Sequence, residues 1–270
     1  MTLARLAPWV LGAVMLDAFA WTPPDRPDPD AILKEVRADR IAGRYAVALE
    51  KHLWFHEHAL RYQPSLAGVR LSFALGDWGV LADRYPPAMA ALRELRARKA
   101  EDVRDGRNAA DAFRDVAAID RELDEPAGTV ELFRAIEARG EEAARLSYAS
   151  AQDALIEVKD FTTAGKYLSP DRELKLLASL YEGVARAGRP SSEDLLAMRE
   201  RMFAIKASRT AAVLVLAGRP DEARRFAEQV LSIFSGSGVV REMLARAAEG
   251  QLPPPVISAS DRRTLRATMP

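Results

Sequence analysis

The residues with the clearest chemical potential are three histidines, His52, His56 and His58, all inside the stretch 43–60, GRYAVALEKHLWFHEHAL. Two imidazoles four residues apart on a helix share a face, so His52 and His56 could supply two ligands to one ion. His58 stands about 200° round from His56 at helical spacing and cannot join them. The chain has no further histidine and no cysteine, so any remaining ligands would have to be carboxylates from another helix. The competing reading is a pair of core histidines held by hydrogen bonds. The sequence favours that second reading, and we expect no bound metal and no cofactor.

The element that carries them reads as an amphipathic helix. With Tyr45 as origin on a helical wheel, Ala48, Leu49, Leu53, Phe55, Ala59 and Leu60 gather on one side with His52 and His56 among them. Glu50, Glu57 and Arg61 gather on the other. Trp54 points roughly away from Tyr45, either packed on neighbouring helices or exposed as an anchor for a partner. The following stretch, PSLAGVRLSFALGDWGVLADRY, is apolar nearly all the way round and reads as a buried helix over 65–84. Arg70 and Asp77 lie two turns apart on it, on the face of Leu66, Phe73 and Leu81. A buried charge needs a partner, so they are expected in a structural network first and as ligand contacts second. Only Tyr62-Gln63-Pro64 separates the two helices, which makes an antiparallel hairpin with facing residues of nearly constant number sum. On that register Asp77 should accept a hydrogen bond from His52 or His56. Arg70 should pair with Asp77 or another carboxylate nearby.

Composition limits what this site could belong to. Thirty-nine basic residues balance thirty-nine acidic ones over 270 residues, leaving no global charge to attract nucleic acid or an anionic membrane. The charged run 93–102 mixes both signs and reads as a solvated helix face with local ion pairs. The absence of cysteine removes disulfides, thiol chemistry and cysteine lipidation. No G-x-S-x-G, phosphate-binding loop, H-E-x-x-H or G-x-G-x-x-G occurs, so we expect no catalytic residues and a chain that is not an enzyme.

The first twenty residues read as an export signal. Arg5 precedes the apolar stretch 6–16, and Ala18-Phe19-Ala20 gives an A-x-A cleavage pattern before Trp21. Asp17 weakens the pattern, and the competing reading is an N-terminal helix docked on the body. The apolar run is too short to span a bilayer, which needs about 20 residues. Residues 21–30, WTPPDRPDPD, read as a Pro-rich linker. From 31 to 250 the pattern is one helical domain, with 251–270 a flexible tail.

Prolines punctuate that domain. Pro64, Pro86-Pro87, Pro126, Pro170, Pro190 and Pro220 should stand at helix starts, and Gly43, Gly188 and Gly218 at the links. Helices are expected near 30–42, 44–62, 65–84, 87–104, 109–123, 127–138, 141–157, 160–167, 170–187, 191–217 (with a break within it an open alternative), 220–235 and 238–249. The fold class is all-α.

Gly43-x-Tyr45-x-x-Ala48-Leu49 resembles the opening of the second helix of a tetratricopeptide repeat. Leu216-Ala-Gly218-Arg-Pro-Asp-Glu-Ala223 with Val230-Leu231 resembles the same junction, and Lys159-Asp-Phe161-Thr-Thr-Ala164 does so more weakly. The Trp-x-x-Leu-Gly opening is absent and Pro220 replaces the usual aromatic. The resemblance implies antiparallel hairpins stacked as a tetratricopeptide-like superhelix, and a scaffold that binds a protein or peptide. Together with the leader it implies a periplasmic or secreted protein without stable membrane insertion, the alternative being cytoplasmic. A helical enzyme or metal-binding protein centred on His52 and His56 is the alternative function.

Overall fold

A computed structural model describes residues 21–186, 193–234 and 236–254. Among them every regular element is helical, with no strand. The chain divides into two compact units, Met1–Ala67 and Gly68–Pro270. The expected leader at 1–20, Gly188, Pro190 and the tail from 255 onward lie outside the described residues.

The first unit is built on a hairpin of α1 (Pro29–Ile41) and α2 (Tyr45–Tyr62), followed by a 3-10 turn at Pro64–Leu66. Asp28 caps α1 by accepting from the amides of Asp30 and Ala31 at 3.0 and 3.2 Å, and Pro29 fills the first helical position. Gly43, at φ +75°, turns the chain in the left-handed conformation that a side chain disfavours. Ala48, Phe55 and Ala59 are buried, while Tyr45, Leu49, Leu53 and Leu60 are half-buried. The stretch 21–30 is more than a linker. Trp21 packs on α2 and Gln63 Nε2 donates to Asp30 at 2.9 Å.

In the second unit the helix expected over 65–84 is interrupted. It becomes α3 (Ala67–Arg70) and α4 (Phe73–Ala82), the first of these beginning on the last residue of the preceding unit. Two hydrogen bonds, one of them from a distant helix, draw the chain off the ladder there. Ser72 Oγ donates to the Gly68 carbonyl at 2.7 Å, and Arg121 takes the Leu71 carbonyl at 2.8 Å, so those groups leave the helical ladder. The break removes Arg70 and Asp77 from a common wheel. Leu66 and Leu81 are buried as expected, but Phe73 is 70% exposed.

Thereafter α5 (Pro86–Asp105), α6 (Ala109–Leu123), α7 (Pro126–Glu137), α8 (Glu141–Glu157) and α9 (Phe161–Tyr167) follow the proline and glycine punctuation closely. They are followed by α10 (Pro170–Arg186), α11 (Glu193–Leu216, unbroken), α12 (Pro220–Ile233) and α13 (Gly238–Ala248). Short links force consecutive helices to run antiparallel. Several helices of this unit also meet the next but one: α6 packs on α4 and α8, and α5 on α7. The core is continuous from Ala100 to Ala247, with Phe113, Phe133 and Phe226 fully buried. Arginines close helix ends. Arg139 donates to the Val103 carbonyl at 2.6 Å, and Arg219 to those of Gly165 and Leu168 at 2.5 and 3.0 Å. These are carbonyls of the last turns, where Val103 and Gly165 otherwise accept only from the capping amides of Gly106 and Leu168 at 3.2 Å.

Glycine tests this packing. A Cβ on Gly165 would overlap the Ala217 side chain, whereas one on Gly76 would meet nothing. Gly165→Ala should cost about 1–3 kcal/mol. Gly76→Ala, in a helix interior, should be neutral or stabilise by about 0.5–1 kcal/mol. Thermal melts of the two variants check this; similar shifts would mean that α9 and the end of α11 are not in close contact.

Candidate functional site

The residues singled out in the sequence fall in both units. His52 and His56, buried on α2, belong to the first, as does half-buried Trp54. Arg70 and buried Asp77 belong to the second. Trp54 packs within its own unit, edge-on to Trp21 and stacked on Tyr62 at 5.8 Å between centroids, with His58 at 5.9 Å.

The polar centre of the first unit is one residue away from where the histidines directed attention. Lys51 is buried, and its Nζ donates to Asp39 Oδ2 and Glu35 Oε2, both at 2.7 Å. Arg44 holds the other Asp39 oxygen, with Nε at 2.8 Å. Burial alone would push Asp39 up and Lys51 down. Hydrogen bonds and charge outweigh it, so Asp39 lies below the usual carboxylate range and Lys51 above the usual lysine range. The hairpin register would have found this pair. With the turn at Gly43, facing residues sum to about 86, which sets Lys51 against Glu35 one turn from Asp39.

In the second unit Arg70 donates to Asp115 of α6 at 2.5 Å, and Lys99 of α5 lies 3.5 Å from the other Asp115 oxygen. Fully buried Asp120 accepts from Arg96 Nε and Nη2 at 2.8 and 3.0 Å, and from Thr129 Oγ1 at 2.9 Å. Gly128 leaves room for the Arg96 guanidinium, which a Cβ would strike. The run 93–102 is therefore not simply a solvated face: Arg96, Lys99 and Arg93, which pairs with Glu125 at 2.7 Å, turn toward α6 and the turn that follows it. Among the described residues, no three His, Asp or Glu side chains come together as a metal site.

The second unit also carries an open groove between α6 and α8. Small residues (Ala117, Ala149 and Ser150) alternate along it with Arg114, Arg121, Asp153 and Glu157. Leu71 closes one part of its wall. Leu146, on the same face of α8 one turn before Ala149 and Ser150, is 75% exposed. Small side chains leave the helix backbones accessible, and charges of both signs border them. That arrangement suits an extended or helical segment rather than a small reactive molecule. Sequence reasoning missed it, because a row of alanines reads equally well as packing.

No family model matches the chain, and neither a curated protein nor a solved structure resembles it at a significant level.

The buried pair sets a stability prediction. Asp39→Asn leaves Lys51 buried with Glu35 alone and should cost about 3 kcal/mol. Glu35→Gln, which removes a largely exposed carboxylate, should cost under about 1 kcal/mol. Because Asp39 is more acidic folded than unfolded, its contribution is complete above the unfolded value of about 3.9. It is lost as pH falls through the lower folded value. Urea titrations between pH 2 and pH 6 should show a steeper acid loss in the parent than in Asp39→Asn, where other carboxylates still contribute; equal pH profiles would show that the pair does not form.

Proposed function

We propose that this chain is a non-catalytic scaffold of tetratricopeptide-like type, exported across a membrane, that holds a protein or peptide segment along the helix row α4, α6 and α8. The observation that carries this reading is the groove between α6 and α8, lined by alanines and flanked by Arg114, Arg121, Asp153 and Glu157. Exposed Phe73 on α4 and Leu146 on α8 add apolar anchors along the same row of helices. Large exposed apolar side chains on helices with mixed charge are the usual composition of a protein-binding surface.

The stacking order supports the reading. In repeats of antiparallel helix pairs, one helix of each pair lines the inner face and the other covers it. Here α4, α6 and α8 form one row and α5, α7 and α9 provide the covering helices, with α5 and α7 in contact. Export rests on the leader pattern ahead of Trp21. Among the described residues no helix is long and apolar enough to cross a membrane.

A photoreactive amino acid placed at Ser150 tests the groove in living cells. It should capture one saturable protein or peptide partner, while the same probe at exposed Glu101 of α5 should not. Capture at neither position, or equal capture at both, would refute binding along this row.

A further inference from the structure

Trp21 is held by one turn of α2. Its backbone N–H donates to Glu50 Oε2 at 2.6 Å across 29 residues of sequence. Its indole meets Trp54 edge-on with centroids 6.0 Å apart, and Lys51 Nζ lies 5.6 Å from the indole centroid. Lys51, the cation next to Glu50 in sequence, is turned to Asp39 and Glu35. Glu50 thus spends its charge on a main-chain nitrogen.

A carboxylate this close to a neutral amide makes one charge-assisted hydrogen bond. The same nitrogen as an α-ammonium would present a full positive charge and more than one donor. The chain supplies a way to make it one, since Ala18-Phe19-Ala20 directly precedes Trp21. The nitrogen at issue belongs to the described residue Trp21.

We propose that Glu50, Lys51 and Trp54 form a receptor for a new chain end, the α-ammonium and indole of an N-terminal Trp21. A leader peptidase adds water across the Ala20–Trp21 peptide bond. The C–N bond breaks, the carbonyl carbon takes the water oxygen and becomes the Ala20 carboxylate, and both protons of the water end on the Trp21 nitrogen, which leaves as an α-ammonium. The ammonium then pairs with Glu50 while the indole stays on Trp54 and Lys51. The inference rests on the export reading given above and adds to it. Processing strengthens the first unit by turning a single hydrogen bond into an ion pair, so the mature chain is the better-folded form.

The test uses chains that begin at Trp21, released from a fusion, with the terminal amine either free or acetylated. Acetylation keeps an N–H donor and removes the charge. The free-amine protein should melt about 2–4 °C above the acetylated one, and Glu50→Gln should abolish the difference. Equal melting of the two forms, or a difference that survives Glu50→Gln, overturns the receptor. N-terminal sequencing of protein from the cell envelope completes the test. Trp21 as first residue supports the proposal; an exported chain that begins elsewhere overturns it and leaves export standing. A chain retained in the cytoplasm with Met1 intact overturns export and the proposed processing together, whereas the melting comparison bears on the receptor alone.

Discussion

A buried carboxylate has to be met by a cation, and in this chain the cation repeatedly comes from a neighbouring helix. Asp39 on α1 is held by Lys51 on α2, Asp115 on α6 by Arg70 on α3, and Asp120 on α6 by Arg96 on α5. Replacing such pairs by apolar residues is often neutral for stability, whereas removing one member is costly. Their structural effect is to make one helix register much better than its neighbours. Apolar faces rich in alanine slide easily; a bidentate arginine on a buried aspartate does not. Asp120 also accepts from Thr129, so one side chain ties α5, α6 and α7.

On its grooved side the row of α4, α6 and α8 is lined instead by small residues and by charges nearer the surface. The alanines that allow α6 and α8 to approach also keep the groove between them unobstructed by long apolar side chains. Asp153, at its border, is held by Arg209 from α11 at 2.6 Å, so part of the rim charge is fixed before any partner arrives. A surface preformed in this way loses little conformational entropy on binding. A receptor for the chain end at Trp21 would apply the same logic to the first unit, with Glu50 as the waiting carboxylate.

The helices were legible because proline and glycine punctuate them: Pro86, Pro126, Pro170 and Pro220 each open a helix, and Gly43 and Gly218 turn the chain with positive φ. The break near Ser72 was hidden, because it depends on Arg121, 50 residues away, taking the Leu71 carbonyl. The buried polar residues were half legible. His52, His56 and Asp77 are buried as their apolar faces implied, and the number sums of the hairpins α1–α2 and α5–α6 would have matched Lys51 with Glu35 and Lys99 with Asp115. Lys51 escaped notice because lysine is rarely buried without a partner, and its partner stands on another helix. The link between Arg70 and Asp115 joins helices that are not consecutive, and no local pattern carries it. Trp21 was obscured by the prolines around it.

In the second unit, Asp120 binds α5, α6 and α7 into one cooperative stack. Hydrogen exchange measured along the chain in the Asp120→Ala protein tests it most directly, because this carboxylate touches side chains from three helices. Slowly exchanging amides of α5, α6 and α7 should lose protection together, since all three open as a unit. Loss confined to the link between α6 and α7, with α5 as protected as in the parent, would contradict it.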